Sequence, residues 1–199
     1  MISRKLKKFG LISGLLTLMV SAHAQTEPEK VNTQETVEHI IPEFEITFPK
    51  TEYEVEKIEN KAPNLWNILI TNWLLEGKDE NGPFMYFVAH NEFPLKLKEL
   101  AEVDSNSLDV AFKAMLTSSA VKLGGFDFKF KALKYKGFTG MESTCNVFNG
   151  EGIIRSRVYK INNNIFIISA GGEKIDVKSV DAFLNSFEIK GKQPSVKGH

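Results

Sequence analysis

The clearest pattern of apolar and polar positions lies in the second half of the chain, where apolar residues recur at every second position. This spacing is typical of β-strands, because successive side chains point to opposite faces of a sheet. It predicts four strands, at Phe126 to Lys136, Phe138 to Phe148, Ile153 to Ile161 and Ile165 to Ile168. The turns between them are too short for a crossover, so the strands are expected to pair antiparallel.

Two details of this region are predicted from single positions. The apolar phase of the first strand slips at Ala132-Leu133, which indicates a β-bulge. Asn149-Gly150 is the strongest two-residue hairpin signal in the sequence, since both residues tolerate a positive φ.

Two further segments have the spacing of amphipathic helices. The first is predicted at Asn106 to Gly125, with Asn106 as its N-cap and Gly124-Gly125 as its stop. The second is predicted at Asp176 to Phe187, with Asp176 as its cap. Their predicted buried faces are Leu108, Ala111, Phe112, Met115 and Ser119 in the first helix, and Val177, Val180, Phe183, Leu184 and Phe187 in the second.

Four more strands are predicted before the first helix. They are Phe44 to Phe48, which Pro49 ends, Tyr53 to Ile58, Leu65 to Leu75 and Phe84 to His90, with a polar turn at Gly77 to Gly82. The order ββββ-α-ββββ-α predicts an α+β fold, in which helices cover an antiparallel β-sheet as a sandwich.

The first 24 residues have the three parts of a secretory signal peptide. Four basic residues precede a 12-residue apolar stretch, Phe9 to Val20, and Ala22-His23-Ala24 supplies a small-x-small cleavage site. A transmembrane span needs about 20 apolar residues, so this stretch is too short for an anchor. We therefore expect an exported protein, periplasmic or secreted after cleavage near Ala24, with no transmembrane span in the mature chain.

The remaining chain is predicted to form one domain between two polar ends. Residues 25–41 are expected to be a flexible leader, 42–189 a single α+β domain and 190–199 a disordered tail. Cleavage removes four basic residues and no acidic ones, which leaves 21 basic residues against 25 acidic. This mild acidity argues against nucleic-acid binding, which needs excess positive charge.

The early Ile46-Thr47-Phe48-Pro49, the run Arg155 to Tyr159 leading to Ile165 to Ile168, and the closing Asp181 to Phe187 carry a family resemblance. The domain resembles the PsbP/Mog1-like α/β-sandwich group, which also includes many exported bacterial proteins of unassigned role. The resemblance implies a sandwich fold and a binding or assembly module, and it supplies no catalytic residue.

Candidate catalytic and metal-binding residues are few. His90 is the only histidine in a predicted ordered element, and no nucleophile or carboxylate stands at a recognisable spacing from it. Cys145 lies on the predicted inward side of its strand, beside Met141 and Val147, so we expect an inert core thiol. No metal-ligand spacing occurs. The sequence therefore predicts no catalytic site, no metal and no cofactor.

One charged pattern indicates a binding surface. Basic residues alternate along two predicted strands, as Lys129, Lys131, Lys134 and Lys136 on one and Arg155 and Arg157 on the other. If both sets face solvent, they form a basic patch that could meet a protein partner or an anionic envelope component. The alternative is that the lysines only protect an edge strand from aggregation.

These observations favour an exported binding or assembly module without chemistry of its own. The alternatives are a small extracytoplasmic hydrolase that uses His90, and a structural partner of an envelope or membrane complex. The sequence leaves the question of catalysis open and favours a non-enzyme.

Export makes the first testable prediction. Protein isolated from its natural host is expected to begin at Gln25, because signal peptidase cuts after a small residue such as Ala24. N-terminal sequencing of the purified protein measures this directly. A chain that still begins at Met1, or one recovered from the cytosol, contradicts the prediction.

Overall fold

The computed structural model describes residues 43–62, 68–92 and 105–190. The predicted signal peptide, the leader and residues 191–199 of the tail lie outside these ranges. Within them the chain forms nine strands and two helices: β1 (Phe44–Glu45), β2 (Glu56–Ala62), β3 (Ile68–Asp79), β4 (Gly82–Glu92), α1 (Ser105–Val121), β5 (Phe126–Tyr135), β6 (Phe138–Val147), β7 (Gly152–Ile161), β8 (Asn164–Gly172), α2 (Val177–Asn185) and β9 (Glu188–Ile189).

Seven of these strands form one antiparallel sheet in the order β2-β3-β4-β8-β7-β6-β5. The short strands β1 and β9 pair with each other as a separate two-stranded sheet. The described architecture is therefore α+β and mostly antiparallel, as the sequence predicts. The final strand, β9, has no counterpart in that prediction.

The two helices lie on opposite faces of the sheet. On one face α1 buries Leu108, Phe112, Leu116 and Ala120. On the other, α2 buries Val180, Phe183 and Leu184. The central strand β8 is buried along its whole length, because Ile165 and Ile167 pack toward α1 while Phe166 and Ile168 pack toward α2. We refer to these as the α1 face and the α2 face.

The helix predictions need small corrections. Asn106 is not the cap of α1, since the helix already begins at Ser105, and its buried stripe includes Leu116, which the sequence analysis missed. The helix ends at Val121, and Gly124 follows it with φ of 80°. Asp176 caps α2 as predicted, and its carboxylate accepts hydrogen bonds from the backbone N–H groups of Lys178 and Ser179. Val177 is 46% exposed and does not belong to the buried stripe.

The predicted bulge at Ala132-Leu133 is wrong. The pairing of β5 with β6 is regular from Lys129 to Tyr135, and the irregularity lies nearer the start of the strand, where Asp127 has φ of 54°. The apolar phase changes for another reason. Phe130 packs on the α1 face and Leu133 on the α2 face, so this edge strand supplies apolar side chains to both layers.

The hairpin turn predicted at Asn149-Gly150 lies where expected but is longer than two residues. Four residues separate the paired Val147 and Gly152, and Phe148 and Asn149 both have positive φ, of 50° and 55°. A two-residue turn occurs instead at Asn162-Asn163, between the paired Ile161 and Asn164. Asparagine reaches the left-handed region more readily than most residues, which suits it to this turn.

Cys145 lies under α1 with Ala120 and Val147, and only 2% of its surface is exposed. Burial raises the pKa of the thiol to about 11, so the reactive thiolate is disfavoured. This agrees with the inert core role predicted from the sequence. Neither helix in the described part of the chain has both the length and the apolar character of a membrane span.

Candidate functional site

The six basic residues predicted to form a binding surface differ in the face of the sheet on which they lie and in their partners. Lys129 and Lys131 point to the α2 face, because they stand opposite Thr144 and Glu142 in the pairing of β5 with β6. Lys134 points to the α1 face. Lys136 follows the end of β5, where its Nζ lies 3.5 Å from a carboxylate oxygen of Glu188.

Arg155 and Arg157 hold α2 against the sheet. Arg157 donates from Nε to Glu142 Oε2 at 2.7 Å, and from Nη1 to the backbone oxygen of Leu184 at 3.0 Å. Arg155 donates from Nη1 to Asp181 of α2. Their side chains are only 22% and 16% exposed. The six residues therefore do not form one continuous basic surface, and a binding role for the lysines stays a prediction.

His90 lies inside the domain, on β4, and faces the α2 side. Its ring stacks on Phe166 with centroids 4.6 Å apart and planes inclined by 7°. Nε2 lies 2.7 Å from Asn164 Oδ1. Because an amide oxygen can only accept, Nε2 carries the proton and donates it to this bond. Burial lowers the pKa of His90, and the bond to Asn164 and the charge of Glu92 oppose this shift only in part. The ring is therefore neutral near pH 7.

Beside His90, the described residues cover the α2 face only in part. Strand β1 and residues 46–48, together called the arm, cross this face and place Phe44, Ile46 and Phe48 against the core. Phe44 contacts the rings of Trp73 and Phe166 at centroid distances of 5.1 and 5.2 Å. Between the arm and the strands β2, β3 and β4 there remains an open groove.

The groove has two adjoining parts that share Phe44, Glu45 and Trp73. One has a volume of about 440 Å³ and lies over Thr71 and His90. The other has a volume of about 640 Å³ and follows the arm. Register explains the floor of the first part, since Glu59, Thr71 and His90 stand opposite one another on β2, β3 and β4. Trp73 and Lys57 form the next row.

The charged residues of the groove are mostly acidic. Four glutamates and two lysines line its first part: Glu43, Glu45, Glu59, Glu92, Lys57 and Lys190. Lys57 pairs with Glu59 at 2.6 Å, and Lys190 pairs with Glu45 at 2.9 Å. Glu92 is buried and has a partner of its own, so among the described lining residues three glutamates stand against two lysines, with His90 neutral.

The described residues of the groove do not form an assembled hydrolytic site. Thr71 is the hydroxyl residue opposite His90, yet its hydroxyl makes no hydrogen bond to His90 or to any other described residue. Activation of a nucleophile needs such a bond to a base. Among the described ranges there is also no group of three histidine, cysteine, aspartate or glutamate side chains able to hold a metal ion.

Sequence reasoning missed most of this site. Trp73 and Thr71 were assigned only to a strand, and Asn164 only to a turn. In an extended strand, residues 69, 71 and 73 lie on one face. This face carries a leucine, a threonine and a tryptophan, so it is mixed rather than apolar. That mixture was the available signal, but the cross-strand partners Glu59 and His90 come from distant parts of the chain.

No protein-family model and no curated protein matches this chain. The groove is therefore interpreted from its own geometry and chemistry.

The contacts of Arg157 generate a stability prediction. Arg157→Met is expected to lower the free energy of unfolding by about 2–3 kcal/mol, because it leaves Glu142 and the end of α2 without their donor in a partly buried place. Lys129→Met, on the exposed edge strand, is the control and should change it by no more than about 0.5 kcal/mol. Urea unfolding measures both. Equal stabilities for the two variants would contradict the structural role.

The buried ring of His90 predicts a pH dependence. Its folded pKa is lower than the 6.5 of an exposed histidine, so the unfolded chain binds the proton first as the pH falls. Stability is therefore full above pH 6.5 and decreases below it, by at most about 1.4 kcal/mol per pH unit, until the folded pKa is passed.

Urea unfolding of wild type and His90→Phe between pH 7.5 and 5 measures this contribution. The phenyl ring preserves the stack on Phe166 but cannot take up a proton, so the variant should show a flatter profile. His39, His199 and the nearby carboxylates are present in both proteins and cancel in the difference. Parallel profiles would show that His90 is not buried in its neutral form.

Proposed function

We propose that this protein is an exported binding module, without catalytic chemistry of its own, that holds a ligand in the groove between the arm and strands β2 to β4. The observation that carries the proposal is the partly exposed ring of Trp73, which lies in both parts of the groove. Tryptophan offers a large rigid contact surface and is enriched in binding sites.

The polar residues of the groove support ligand binding. Thr71 and His90 are 6% and 5% exposed, and both line the groove beside the aromatic rings. Binding pockets typically combine apolar and aromatic walls with a few buried polar groups that orient the ligand. The groove thus has the composition of a binding site as well as its shape.

The fold is consistent with a PsbP/Mog1-like domain, and we propose membership of that sandwich group. In support, one antiparallel sheet carries α1 on one face and α2 on the other, and the elements follow the predicted order up to the additional strand β9. Export and cleavage near Ala24 belong to the same proposal. After such a cleavage, residues 25–41 would form the leader that precedes the arm.

The second candidate is a small extracytoplasmic hydrolase, since His90 is a neutral histidine that lines a groove opposite a hydroxyl. Two contacts speak against it. The Nε2 of His90 is engaged by Asn164, and the ring is held by its stack on Phe166. Assembly into an envelope complex through Lys129 and Lys131 is compatible with the binding module, because these lysines lie on β5 at the opposite edge of the sheet from β2.

The proposal is tested by ligand capture. Purified mature protein is incubated with the low-molecular-mass fraction of an extracytoplasmic extract and examined by native mass spectrometry. We expect a retained molecule whose affinity falls about tenfold or more in Trp73→Leu, because an aromatic residue central to a contact contributes about 1–2 kcal/mol or more. Val110→Ala, an exposed site on the other helix, is the matched control and should retain the molecule.

Two results would contradict the binding module. Equal retention by wild type and Trp73→Leu would place the ligand elsewhere. Conversion of the retained molecule into a product, abolished in His90→Ala with folding unchanged, would favour the hydrolase.

A further inference from the structure

We infer that the ligand of this groove carries a positively charged ammonium or guanidinium group beside an apolar body. This inference rests on the proposed function, because it assigns a chemical class to the ligand of the same groove. Three independent features of the described residues lead to it.

The first feature is a cation that already lies over the aromatic floor. The Nζ of Lys57 is 5.9 Å from the centroid of the Trp73 ring. Tryptophan is the aromatic side chain that attracts cations most strongly. The Lys57 side chain is 54% exposed, so its contact and its pair with Glu59 are weak and easily exchanged. A ligand cation can therefore take the place of an ammonium group that the chain itself supplies.

The second feature is the excess of carboxylates around that ring. Among the described lining residues, Glu43, Glu45 and Glu59 stand against Lys57 and Lys190, and both lysines already have carboxylate partners. A ligand cation that displaces Lys57 would gain Glu59 as its counter-ion. An anionic ligand would instead face Glu43, Glu45 and Glu59 in a partly enclosed space, where repulsion is stronger than in water.

The third feature is the hydroxyl of Thr71. Thr71 is 6% exposed, lines the groove, and forms no side-chain hydrogen bond to another described residue. The hydroxyl is not one of the fully buried unpaired atoms, so it faces the water of the groove, and a ligand donor placed here can replace that water as its partner. Ammonium and guanidinium groups carry several donors, and Thr71 stands directly between Glu59 and His90 in the strand register.

These features also disfavour a purely apolar ligand. Such a ligand would remove water from Glu59 and Thr71 without replacing their hydrogen bonds. The apolar part of the ligand fits the adjoining part of the groove, which Ile46, Phe48 and Val55 line along the arm.

A matched series of three probes tests the inference: 4-phenylbutylamine, 4-phenylbutanol and 5-phenylpentanoate share one apolar body, a phenyl ring on four methylene groups, and differ in charge. The chain has two tryptophans, so the full mature protein with Trp66→Phe reports on Trp73 alone by fluorescence. We expect the amine to bind at least about fivefold more tightly than the alcohol, and the carboxylate to bind most weakly. The preference for the amine should decrease with added salt.

Two variants in the same background separate the contributions. Lys57→Met removes the competing ammonium group but retains an apolar stem, and it should tighten amine binding about threefold or more relative to alcohol binding. Glu59→Gln should reduce the preference for the amine. Glu151→Gln removes an exposed carboxylate in the turn between β6 and β7, far from the groove, and is the matched control.

The outcomes distinguish the inference from the function on which it rests. Equal binding of the alcohol and the amine, tighter binding of the carboxylate, or weaker amine binding in Lys57→Met would overturn the cationic class and leave the groove as a binding site. Failure of all three probes would also overturn it, while ligand capture with Trp73→Leu decides the binding function separately.

Discussion

The central strand β8 is buried on both faces, and this burial imposes the arrangement of the other elements. Its nine residues, Asn164–Gly172, pair with β4 on one side and with β7 on the other. Both faces of such a strand must be covered, because exposed apolar side chains would lose the hydrophobic stabilisation of the fold. One helix alone cannot do this, so α1 and α2 lie on opposite faces and the domain has three layers.

The width of the sheet explains why a groove remains. Seven strands spaced about 4.8 Å apart span roughly 29 Å, whereas a helix with its side chains is about 10 Å wide. On the α2 face the nine-residue α2 covers the middle of the sheet, and the arm covers the strands next to it. The described elements leave the outermost strands β2 and β3 partly open, and Trp73 lies at this boundary. The candidate site is thus a consequence of incomplete layer coverage.

The charged residues on the two sides of the sheet differ in how deeply their ion pairs are buried. On the β5–β7 side, Glu142 and Arg157 are partly buried and hold the end of α2, so their charges are compensated within the protein. On the β2–β4 side, the lysines that pair with Glu45 and Glu59 are more exposed and their ion pairs are weaker. The groove therefore offers ion pairs that a ligand can exchange, while a binding role for the exposed Lys129 and Lys131 stays a prediction.

The sequence by itself determined the strand and helix types, because periods of two and 3.6 residues are local properties of the chain. It thereby predicted the alternation of Met141, Cys145 and Val147 toward the core, the Asp176 cap and the doubly buried run at Ile165 to Ile168. The prediction failed in β5, which places apolar side chains on both faces of the sheet. The change of face at Leu133 was therefore interpreted as a bulge. The order of the strands in the sheet decided the roles of individual side chains. Arg157 became an anchor only because α2 packs beside it, and His90 became a groove residue only because β3 and β8 flank β4. Such neighbours are separated by many residues along the chain, and no local pattern records which strands will be adjacent in the sheet.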